Sequence, residues 1–395
     1  MKVEEKRRLK KIAIMEAALD VWSCDDYSNP SLTTLAENLQ MTKQALYRYF
    51  SGKEELFDSM AEYVNSLERE WFLQLIPRLE QLSEKEKFRF YIESYARAQV
   101  EGQRYIRFAH FNTMRQNKFF HINNIDLIQK VQEILGISDR VFLLIMLYCF
   151  FMWGWHEHEE LQANRTDKEK IDLILTLLEE GLAGDTFKLP EVDTVESTQN
   201  IAREYKARTA KPDIINSVNE VIQERGFTGV TLELIAEKAG MSKSTLYNYF
   251  ENKDDMLTKT INALVKDYTE FHARLLAKKE TFEGKLLAHL ELQSVLFPQK
   301  PQAFIVLKQF MSPEIFNRVK RPAHQKGFLD FLQKGIDDKK LKDLLTVYEY
   351  QMIFSFFIFI ERVIFQQEAD LPMKEEILEW LKLLAFGNRA AGQNR

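Results

Sequence analysis

The chain has 395 residues, with 54 Lys and Arg against 59 Asp and Glu, so its formal charge at pH 7 is -5. One hydrophobic core rarely serves a chain of this length, which predicts two or three domains. A hydrophobic content of 45% excludes a disordered chain, and the low counts of 14 Gly and 9 Pro favour long helices over turn-rich sheets. The two cysteines, Cys24 and Cys149, form no CxxC motif, which excludes a disulfide framework and fits a reducing cytosol.

The first residues and the apolar runs predict a soluble, cytoplasmic protein without a membrane partner. The N-terminus runs into Lys6, Arg7 and Arg8 rather than into an apolar stretch, so no signal peptide is expected. The most apolar segment, 141–155, is shorter than the roughly 20 residues that a spanning helix needs. We expect this segment to be a buried helix.

An internal repeat organises the chain. Residues 32–57 read LTTLAENLQMTKQALYRYFSGKEELF and residues 232–257 read LELIAEKAGMSKSTLYNYFENKDDML, with 10 of 26 positions identical at an offset of 200. A second match relates KEKIDLILTLLEEG at 168–181 to KEEILEWLKLLAFG at 374–387, at an offset of 206. Duplication of a unit of about 190 residues accounts for both matches.

The hydrophobic period predicts an all-α fold. Apolar residues recur at three- and four-residue spacing along most of the chain, as in 173–182, and no stretch alternates long enough to indicate a sheet. Ser51 with Glu54, and Asn252 with Asp255, have the spacing of N-terminal helix caps.

Each repeat contains two short helices separated by a turn and followed by a long helix. In the second half, Leu246 and Phe250 lie four apart and are expected to face inward against Leu232. A helix in the DNA major groove needs such an inward apolar side, with donors on the outside for phosphates and base edges. The outward positions are Lys43, Gln44, Tyr47 and Arg48 in the first half, and Lys243, Ser244, Tyr247 and Asn248 in the second.

This pattern resembles the TetR family of bacterial transcriptional regulators. The family motif LxxIAxxxGxSxxxLYxYFxxKxxL is nearly complete at 232–257 and less complete at 32–57. The resemblance implies two tandem units, each with a helix-turn-helix DNA-binding module and a helical domain for ligand binding and dimerisation. The implied segments are a first module at 1–53, a first helical domain at 54–184, a linker at 185–205, a second module at 206–253 and a second helical domain at 254–395.

The resemblance also implies DNA contacts at matching positions of both halves. They are Thr33, Thr42, Lys43, Gln44, Ala45, Tyr47, Arg48, Tyr49 and Lys53 in the first half, and Glu233, Ser242, Lys243, Ser244, Thr245, Tyr247, Asn248, Tyr249 and Lys253 in the second. Two residues of the first half depart from the family pattern, since Gln40 stands at the turn glycine and Asp26 at a helix-ending glycine. A non-glycine residue in left-handed geometry costs about 1 kcal/mol, which strains a turn without abolishing it.

Basic residues precede both modules. Segments 1–53 and 201–253 have formal charges of +2 and +1, while the rest of the chain is acidic. The clusters at 6–11 and 206–211 can reach the DNA backbone or the minor groove. The alternative is a solvated helix start, which is the usual role of a charge run.

Other motifs give little support to a metal site or an enzyme. His156 and His158 lie in the run HEHEE, but they point about 200 degrees apart on a helix, so a solvated helix end is favoured over a metal site. The sequence contains no HExxH motif, phosphate-binding loop or Ser/His/Asp grouping. Neither an enzymatic activity nor a cofactor is therefore predicted.

Aromatic residues follow the long helix of each half. The family resemblance implies a pocket there for a small hydrophobic or aromatic effector, and the alternative for each ring is ordinary core packing. The candidate pocket residues are Tyr91, Tyr95, Phe108, His110, Phe111, Phe304 and Phe310.

The apolar helices at 141–155 and 347–360, with 168–182 and 374–387, match the position of the family's dimerisation helices. Because both pairs lie in one chain, we expect them to pair intramolecularly, which gives a monomeric pseudo-dimer with an internal pseudo-twofold axis. The predicted function is a ligand-responsive repressor that binds a double-stranded DNA operator with two unlike half-sites. The alternative, which Gln40 and Asp26 favour, is a ligand-binding or scaffold protein in which one DNA-reading module has decayed.

Overall fold

The computed structural model describes residues 3–23, 30–115, 124–153, 164–190, 198–209, 214, 217, 218, 220, 221, 231–299, 323–364 and 374–387. The regular structure in these ranges is helical, which confirms the all-α prediction for them, and one antiparallel bridge joins Ala183 to Leu341. The helices are α1 (Val3–Ser23), α2 (Leu32–Asn38), α3 (Lys43–Tyr47), α4 (Lys53–Glu80), α5 (Glu84–Glu101), α6 (Gln103–Arg115), α7 (Ile125–Leu135), α8 (Asp139–Trp153), α9 (Asp167–Glu180), α10 (Thr198–Thr209), α11 (Leu232–Lys238), α12 (Lys243–Tyr247), α13 (Lys253–Ala277), α14 (Phe282–Gln299), α15 (Ala323–Asp337), α16 (Val347–Ile364) and α17 (Lys374–Phe386).

The chain divides into two compact units, Met1–Ile137 and Ser138–Arg395. In the first unit, α1, α2 and α3 enclose a core that includes Ile14 and Leu46, both fully buried. Helix α4 packs against α5, α6 and α7, and α6 packs back against α1. Arg104 of α6 joins this second contact through ion pairs with Glu16 (2.6 Å) and Asp20 of α1.

The second unit contains the described helices of the second repeat and also α8 and α9, the last two helices of the first repeat. Helix α8 packs against α16, and α9 packs against α17. The spatial division after Ile137 thus differs from the sequence division expected at 185–205, because α8 buries apolar residues such as Leu144 and Ile145 inside the second unit. No helix within the described ranges is both long and apolar enough to cross a membrane.

The described residues of the predicted linker belong to the second unit, and several of them are buried. The buried ring of Phe187 contacts Phe386 with 5.9 Å between centroids. Helix α10 begins at Thr198 and buries Ile201 and Tyr205 in one hydrophobic cluster with α13 and α14. The segment 198–205 is therefore the first part of a packed helix rather than an irregular connection.

The helices α9 and α17 end in a reciprocal contact. Gly181 and Gly387, which correspond at the offset of 206, both have positive φ angles, of 66° and 62°. A Cβ on Gly181 would lie 2.5 Å from Phe386 N, and one on Gly387 would lie 2.7 Å from Leu178 O. Each glycine thus lets the end of one helix approach the backbone of the other.

The chain that leaves α9 continues this contact. Leu182 N donates to Leu384 O and Ala183 N donates to Ala385 O, each at 2.8 Å. These carbonyls belong to the last turn of α17, where helical carbonyls have no partner within the helix. The segment after the first repeat therefore completes the hydrogen bonding of the last helix of the second.

The turn inside each helix-turn-helix module uses a left-handed residue. Gly240 has φ of 64°, and Gln40 at the equivalent position has φ of 52°. The expected strain at Gln40 is therefore present in the structure, and the turn keeps its form. Both residues donate the same backbone bond, Gln40 N to Glu37 O at 3.0 Å and Gly240 N to Glu237 O at 3.1 Å.

Replacing Gln40 with glycine is expected to stabilise the first module by about 1 kcal/mol, because a side chain in the left-handed region carries a steric cost of that size. The reciprocal change, Gly240→Gln, should destabilise the second module by a similar amount, since no atom lies near its Cβ position to add a clash. Urea unfolding followed by circular dichroism measures both. Destabilisation by Gln40→Gly would contradict the strain argument.

One of the two predicted helix caps is wrong. The Asn252 side chain accepts from Asp255 N at 2.9 Å, which confirms the cap of α13. Helix α4 instead has Gly52 at its N-cap, without a side-chain cap bond. The carboxylate of Glu55, one residue beyond the predicted Glu54, accepts from Ser51 N at 2.6 Å, because the helix starts one residue later than expected.

Candidate DNA-binding site

Two side-chain caps position the recognition helix of the first module. At the start of α2, Ser31 accepts from Thr34 N at 3.3 Å, and at the start of α3, Thr42 accepts from Ala45 N at 3.1 Å. Such caps satisfy backbone donors that have no partner within the helix. Leu46 is fully buried beneath α3. The caps and this anchor together determine which residues of α3 face outward.

The second module repeats this construction with different side chains. Thr231 accepts from Leu234 N at 3.3 Å, and Ser242 accepts from Thr245 N at 3.1 Å. The inward orientation predicted for Leu246 is confirmed, since it is fully buried in one cluster with the other two predicted residues, Leu232 and Phe250. The caps and the anchor orient α12 as the equivalent bonds orient α3.

Most of the predicted DNA-contact residues share the outer surface of their module. Tyr47 and Tyr247 are 45% and 48% exposed, although large aromatic side chains are usually buried for much of their surface. The half-buried residues are Ala45, Tyr49, Thr245 and Lys253, and the exposed ones are Thr33, Thr42, Lys43, Gln44, Tyr47, Arg48, Lys53, Glu233, Ser242, Lys243, Ser244, Tyr247, Asn248 and Tyr249. Each module therefore presents a polar and aromatic surface built around one short helix.

The two surfaces differ in charge. In the second module the ammonium of Lys243 forms an ion pair with the carboxylate of Glu233. This hydrogen bond and the attraction between the charges raise the pKa of Lys243 and lower the pKa of Glu233. In the first module the residue equivalent to Glu233 is Thr33, which has no charge to offer Lys43.

The predicted basic arm of the first module lies beside its recognition helix. Arg7 donates to Arg48 O, just after α3, at 3.2 Å. Lys11 lies 4.8 Å from the centroid of the Phe50 ring and 3.6 Å from the Glu55 carboxylate. The start of α1 thus adds cationic groups to the same surface. The side chains of the second arm, at 206–211, lie outside the described residues, as do Asp26 and the His156 run.

The three-helix modules coincide with a known family pattern. A family model described as bacterial regulatory proteins, tetR family, matches residues 14–60 and 214–259. The chain therefore contains two TetR-type modules in tandem. The repeat found in the sequence is thus a repeat of the TetR-type module.

Two proteins and one solved structure are similar to parts of this chain. The fatty acid metabolism regulator protein of Bacillus subtilis (strain 168) is 29% identical over 148 residues, covering 36% of this chain and 76% of that protein. The HTH-type transcriptional repressor KstR2 of Mycolicibacterium smegmatis is 23% identical over 147 residues, covering 35% and 70%. The crystal structure of the regulator FadR from Bacillus subtilis in complex with stearoyl-CoA aligns with a TM-score of 0.37 and 27% identity, covering 44% of this chain and 96% of that chain. The two module matches and the two named regulators support a DNA-binding transcriptional regulator.

Truncating the exposed tyrosines, as Tyr47→Ala and as Tyr247→Ala, is expected to weaken DNA binding by about 1–3 kcal/mol for each variant. Stability should change little, because about half of each side chain is already in solvent. Fluorescence anisotropy with labelled duplex DNA measures the affinity. Leu73→Ala removes a side chain that is 53% exposed on α4, and serves as the control. Unchanged affinity in both tyrosine variants would exclude this surface from DNA binding.

The structure separates the candidate effector residues of the first half into two groups. Tyr91 stacks on Tyr95 with 6.1 Å between ring centroids, and Trp71 packs edge-on against Tyr95. Phe108 instead lies in the core of the first three-helix module, and the partly buried Phe111 packs against that core. The side chain of His110 and the residues Phe304 and Phe310 lie outside the described part of the chain.

A buried polar cluster in the second helical domain was missed by the sequence analysis. His272 of α13 and His289 of α14 are joined by a 2.9 Å hydrogen bond, and Ser355 of α16 lies 3.5 Å from the second ring. Gln293 donates to Tyr268 Oη at 2.5 Å. The signal in the sequence is the segment 286–294, which mixes leucines with polar residues. In the structure every position of this segment is buried.

The histidine pair predicts a loss of stability on acidification. Burial lowers the pKa of His272 to about 4, and burial together with the neighbouring His272 ring lowers the pKa of His289. An unfolded histidine has a pKa of about 6.5, so protons bind preferentially to the unfolded chain, and stability falls as the pH drops from about 6.5 towards 4. For one such histidine the loss between about pH 7.5 and pH 5 is about 2 kcal/mol.

Urea midpoints measured across this pH range check the prediction. His272→Phe introduces the residue that the first half carries at the equivalent Phe72, and it should flatten the dependence. An unchanged slope in this variant would show that other groups cause the acid sensitivity.

Proposed function

We propose that the chain is a ligand-responsive repressor that acts as a single-chain pseudo-dimer on an asymmetric operator. The observation that carries the proposal is the reciprocal contact of the equivalent glycines Gly181 and Gly387, each against the backbone of the opposite helix. Gly181 contacts Ala385, and the residues equivalent to them, Gly387 and Glu179, also contact each other. Such a reciprocal contact is typical of twofold pairing. Within the second unit, the packing of α8 on α16 and of α9 on α17 supports the same arrangement.

A pseudo-dimer of this kind already has its dimerisation helices paired within one chain, so the protein should be monomeric. Light scattering coupled to size-exclusion chromatography is expected to give a mass near 46.7 kDa at micromolar concentrations. A stable mass of twice that value would overturn the proposal, because the paired surfaces would then have to be completed by a second chain.

The outward residues of α3 and α12, together with the residue that follows each helix, support an operator with two unlike half-sites. Arg48 in the first module suits guanine O6 and N7, whereas Asn248 in the second suits adenine N6 and N7. Identical recognition helices read a palindrome, and these helices are not identical. Arg48 can instead hold a phosphate, which leaves Gln44 against Ser244 and Ala45 against Thr245 as the differences that face bases.

Selection from random duplex DNA tests this proposal. The natural protein should return an asymmetric site, with half-sites about one helical turn apart. The triple variant with Gln44→Ser, Ala45→Thr and Arg48→Asn gives both modules the same three outward residues, and it should shift the selected sequence towards a symmetric site. A perfect palindrome selected by the natural protein would contradict the asymmetric operator.

We further propose that a small hydrophobic or aromatic effector lowers the affinity for DNA. The aromatic group of Trp71, Tyr91 and Tyr95 in one helical domain supports such a ligand. A fatty acid is the first compound to test, because one relative is named as a regulator of fatty acid metabolism. An effector shifts the equilibrium only if it binds the DNA-incompetent state more tightly. Calorimetric titration with anisotropy on the selected operator would detect both effects, and a tight ligand without any effect on DNA affinity would exclude this mechanism.

A further inference from the structure

The two recognition surfaces have nearly the same backbone but different electrostatics. The caps at the start of α2 and α11 have equal bond lengths, 3.3 Å, and those of α3 and α12 are equal at 3.1 Å. The predicted contacts of the first surface include three cations, Lys43, Arg48 and Lys53. Those of the second include two cations and one anion, Lys243, Lys253 and Glu233, so the net charge is +1 instead of +3. Substitution on a common scaffold, and not a change of fold, has therefore reduced the positive charge of the second surface.

The anion of the second surface lies against one of its cations. The Lys243 ammonium forms an ion pair with Glu233 and lies 6.0 Å from the centroid of the Tyr247 ring. Both charged side chains are more than half exposed, at 52% and 58%. An exposed pair contributes little to folding, so this ion pair is not needed to hold α11 and α12 together.

An ion pair on such a surface has a large effect on DNA binding. Each phosphate that a cation neutralises releases condensed counterions, and this release supplies most of the sequence-independent affinity. A Lys243 ammonium that stays with Glu233 gives no such contact. A Glu233 carboxylate that loses Lys243 is left near the phosphates, where like charges repel. Both states of the ion pair disfavour binding of the second module to DNA in general.

We propose that Glu233 is a specificity-determining residue. It weakens the contacts of the second module with phosphates, so this module binds DNA only where contacts with bases compensate. This inference rests on the proposed DNA-binding function. The first module, with Thr33 in the equivalent position and the arm residues Arg7 and Lys11 beside α3, then anchors the chain on DNA of any sequence. Binding of the second module then determines whether the complex is sequence-specific.

The test compares the natural protein with Glu233→Thr, which gives the second module the residue of the first. Affinities are measured by anisotropy between about 50 and 200 mM salt, on a mixed-sequence duplex of roughly 30 base pairs and on the selected operator. For the mixed-sequence duplex, Glu233→Thr should raise the affinity about tenfold. It should also steepen the slope of log affinity against log salt concentration by the amount expected for about one phosphate contact. The gain on the operator should be smaller, so the ratio of the two affinities falls.

Two further variants separate this mechanism from a general change of charge. Thr33→Glu, which places the same charge on the first surface, should weaken binding to both duplexes. Glu251→Thr removes an exposed carboxylate just before α13 and should leave the ratio between the duplexes unchanged. When Lys243 is first replaced by Gln, Glu233→Thr should steepen the salt dependence less than it does in the natural protein. The reason is that no Lys243 ammonium is then released to contact a phosphate.

The outcomes distinguish the inference from the function on which it rests. If the natural protein binds DNA and Glu233→Thr changes neither the salt dependence nor the ratio of affinities, the role of Glu233 is overturned and the DNA-binding function stands. If the natural protein binds neither duplex at any salt concentration, the proposed function fails together with the inference. Equal melting temperatures of all variants confirm that folding is not the cause.

Discussion

Gly181→Ala is expected to lower the free energy of unfolding of the second unit by about 2–4 kcal/mol. Two costs add at this position. A side chain at a φ of 66° costs about 1 kcal/mol, and overpacking a tight contact typically costs about 1–3 kcal/mol more. The overlap involves the Ala385 carbonyl and Phe386 N, which are backbone atoms and move only if the end of α17 moves. Urea unfolding followed by tryptophan fluorescence reports on this unit through the buried Trp153 and Trp380.

Gly240→Ala is the matched control for this experiment, because Gly240 also lies in the second unit. Gly240 has a φ of 64°, and no atom lies within 4 Å of the Cβ position. Its substitution carries the conformational cost without the overlap, about 1 kcal/mol. Gly387→Ala should resemble Gly181→Ala, because the overlap there involves Leu178 and Glu179 of the opposite helix. Equal effects of Gly240→Ala and Gly181→Ala would mean that α9 and α17 do not approach each other as closely as the structure has them.

The sequence predicted the features that depend on neighbouring residues along one helix. The four-residue spacing of Leu246 and Phe250 was enough to identify the buried face of the recognition helix, because helical geometry alone places such residues together. The departure at Gln40 predicted a strained turn in the same way, and the structure has φ of 52° there. Local rules gave the wrong cap at Ser51, because a shift of one residue at a helix end exchanges Glu54 for Glu55.

Contacts between distant parts of the chain could not be read from the sequence. Gly181 and Gly387 were visible as the ends of matching segments, but their positive φ and close approach depend on which helix lies opposite. The pair of His272 and His289 was missed for a related reason, since each histidine stands singly in an otherwise ordinary helix. The exposed pair of Glu233 and Lys243 joins two helices across a turn, so the pattern of each helix by itself does not reveal it.

Arg165→Ala is also expected to have a large effect, lowering the free energy of unfolding by about 3–5 kcal/mol. Arg165 forms a bidentate ion pair with Glu349, and its second nitrogen also donates to Leu344 O at 3.0 Å. The Glu349 side chain is only 8% exposed, so removal of the guanidinium leaves a buried carboxylate without its countercharge. Breaking a buried pair by removing one partner carries a cost of about this size. The carboxylate keeps the bond from Thr346 N at 2.7 Å, which places the expected value towards the lower end.

Variants of a second ion pair and a conservative change make this prediction specific. Arg69→Ala breaks an exposed pair with Asp126, whose side chains are 47% and 61% exposed, and should cost less than about 1 kcal/mol. Arg165→Lys keeps the charge but loses the planar fork that reaches both carboxylate oxygens, so its effect should be intermediate. In a double-mutant cycle, Glu349→Gln should recover part of the loss caused by Arg165→Ala, because the buried charge is then absent. Arg165 precedes α9 and Glu349 lies in α16, so this ion pair joins the two repeats. Additive effects of the two substitutions would show that it does not contribute to their association.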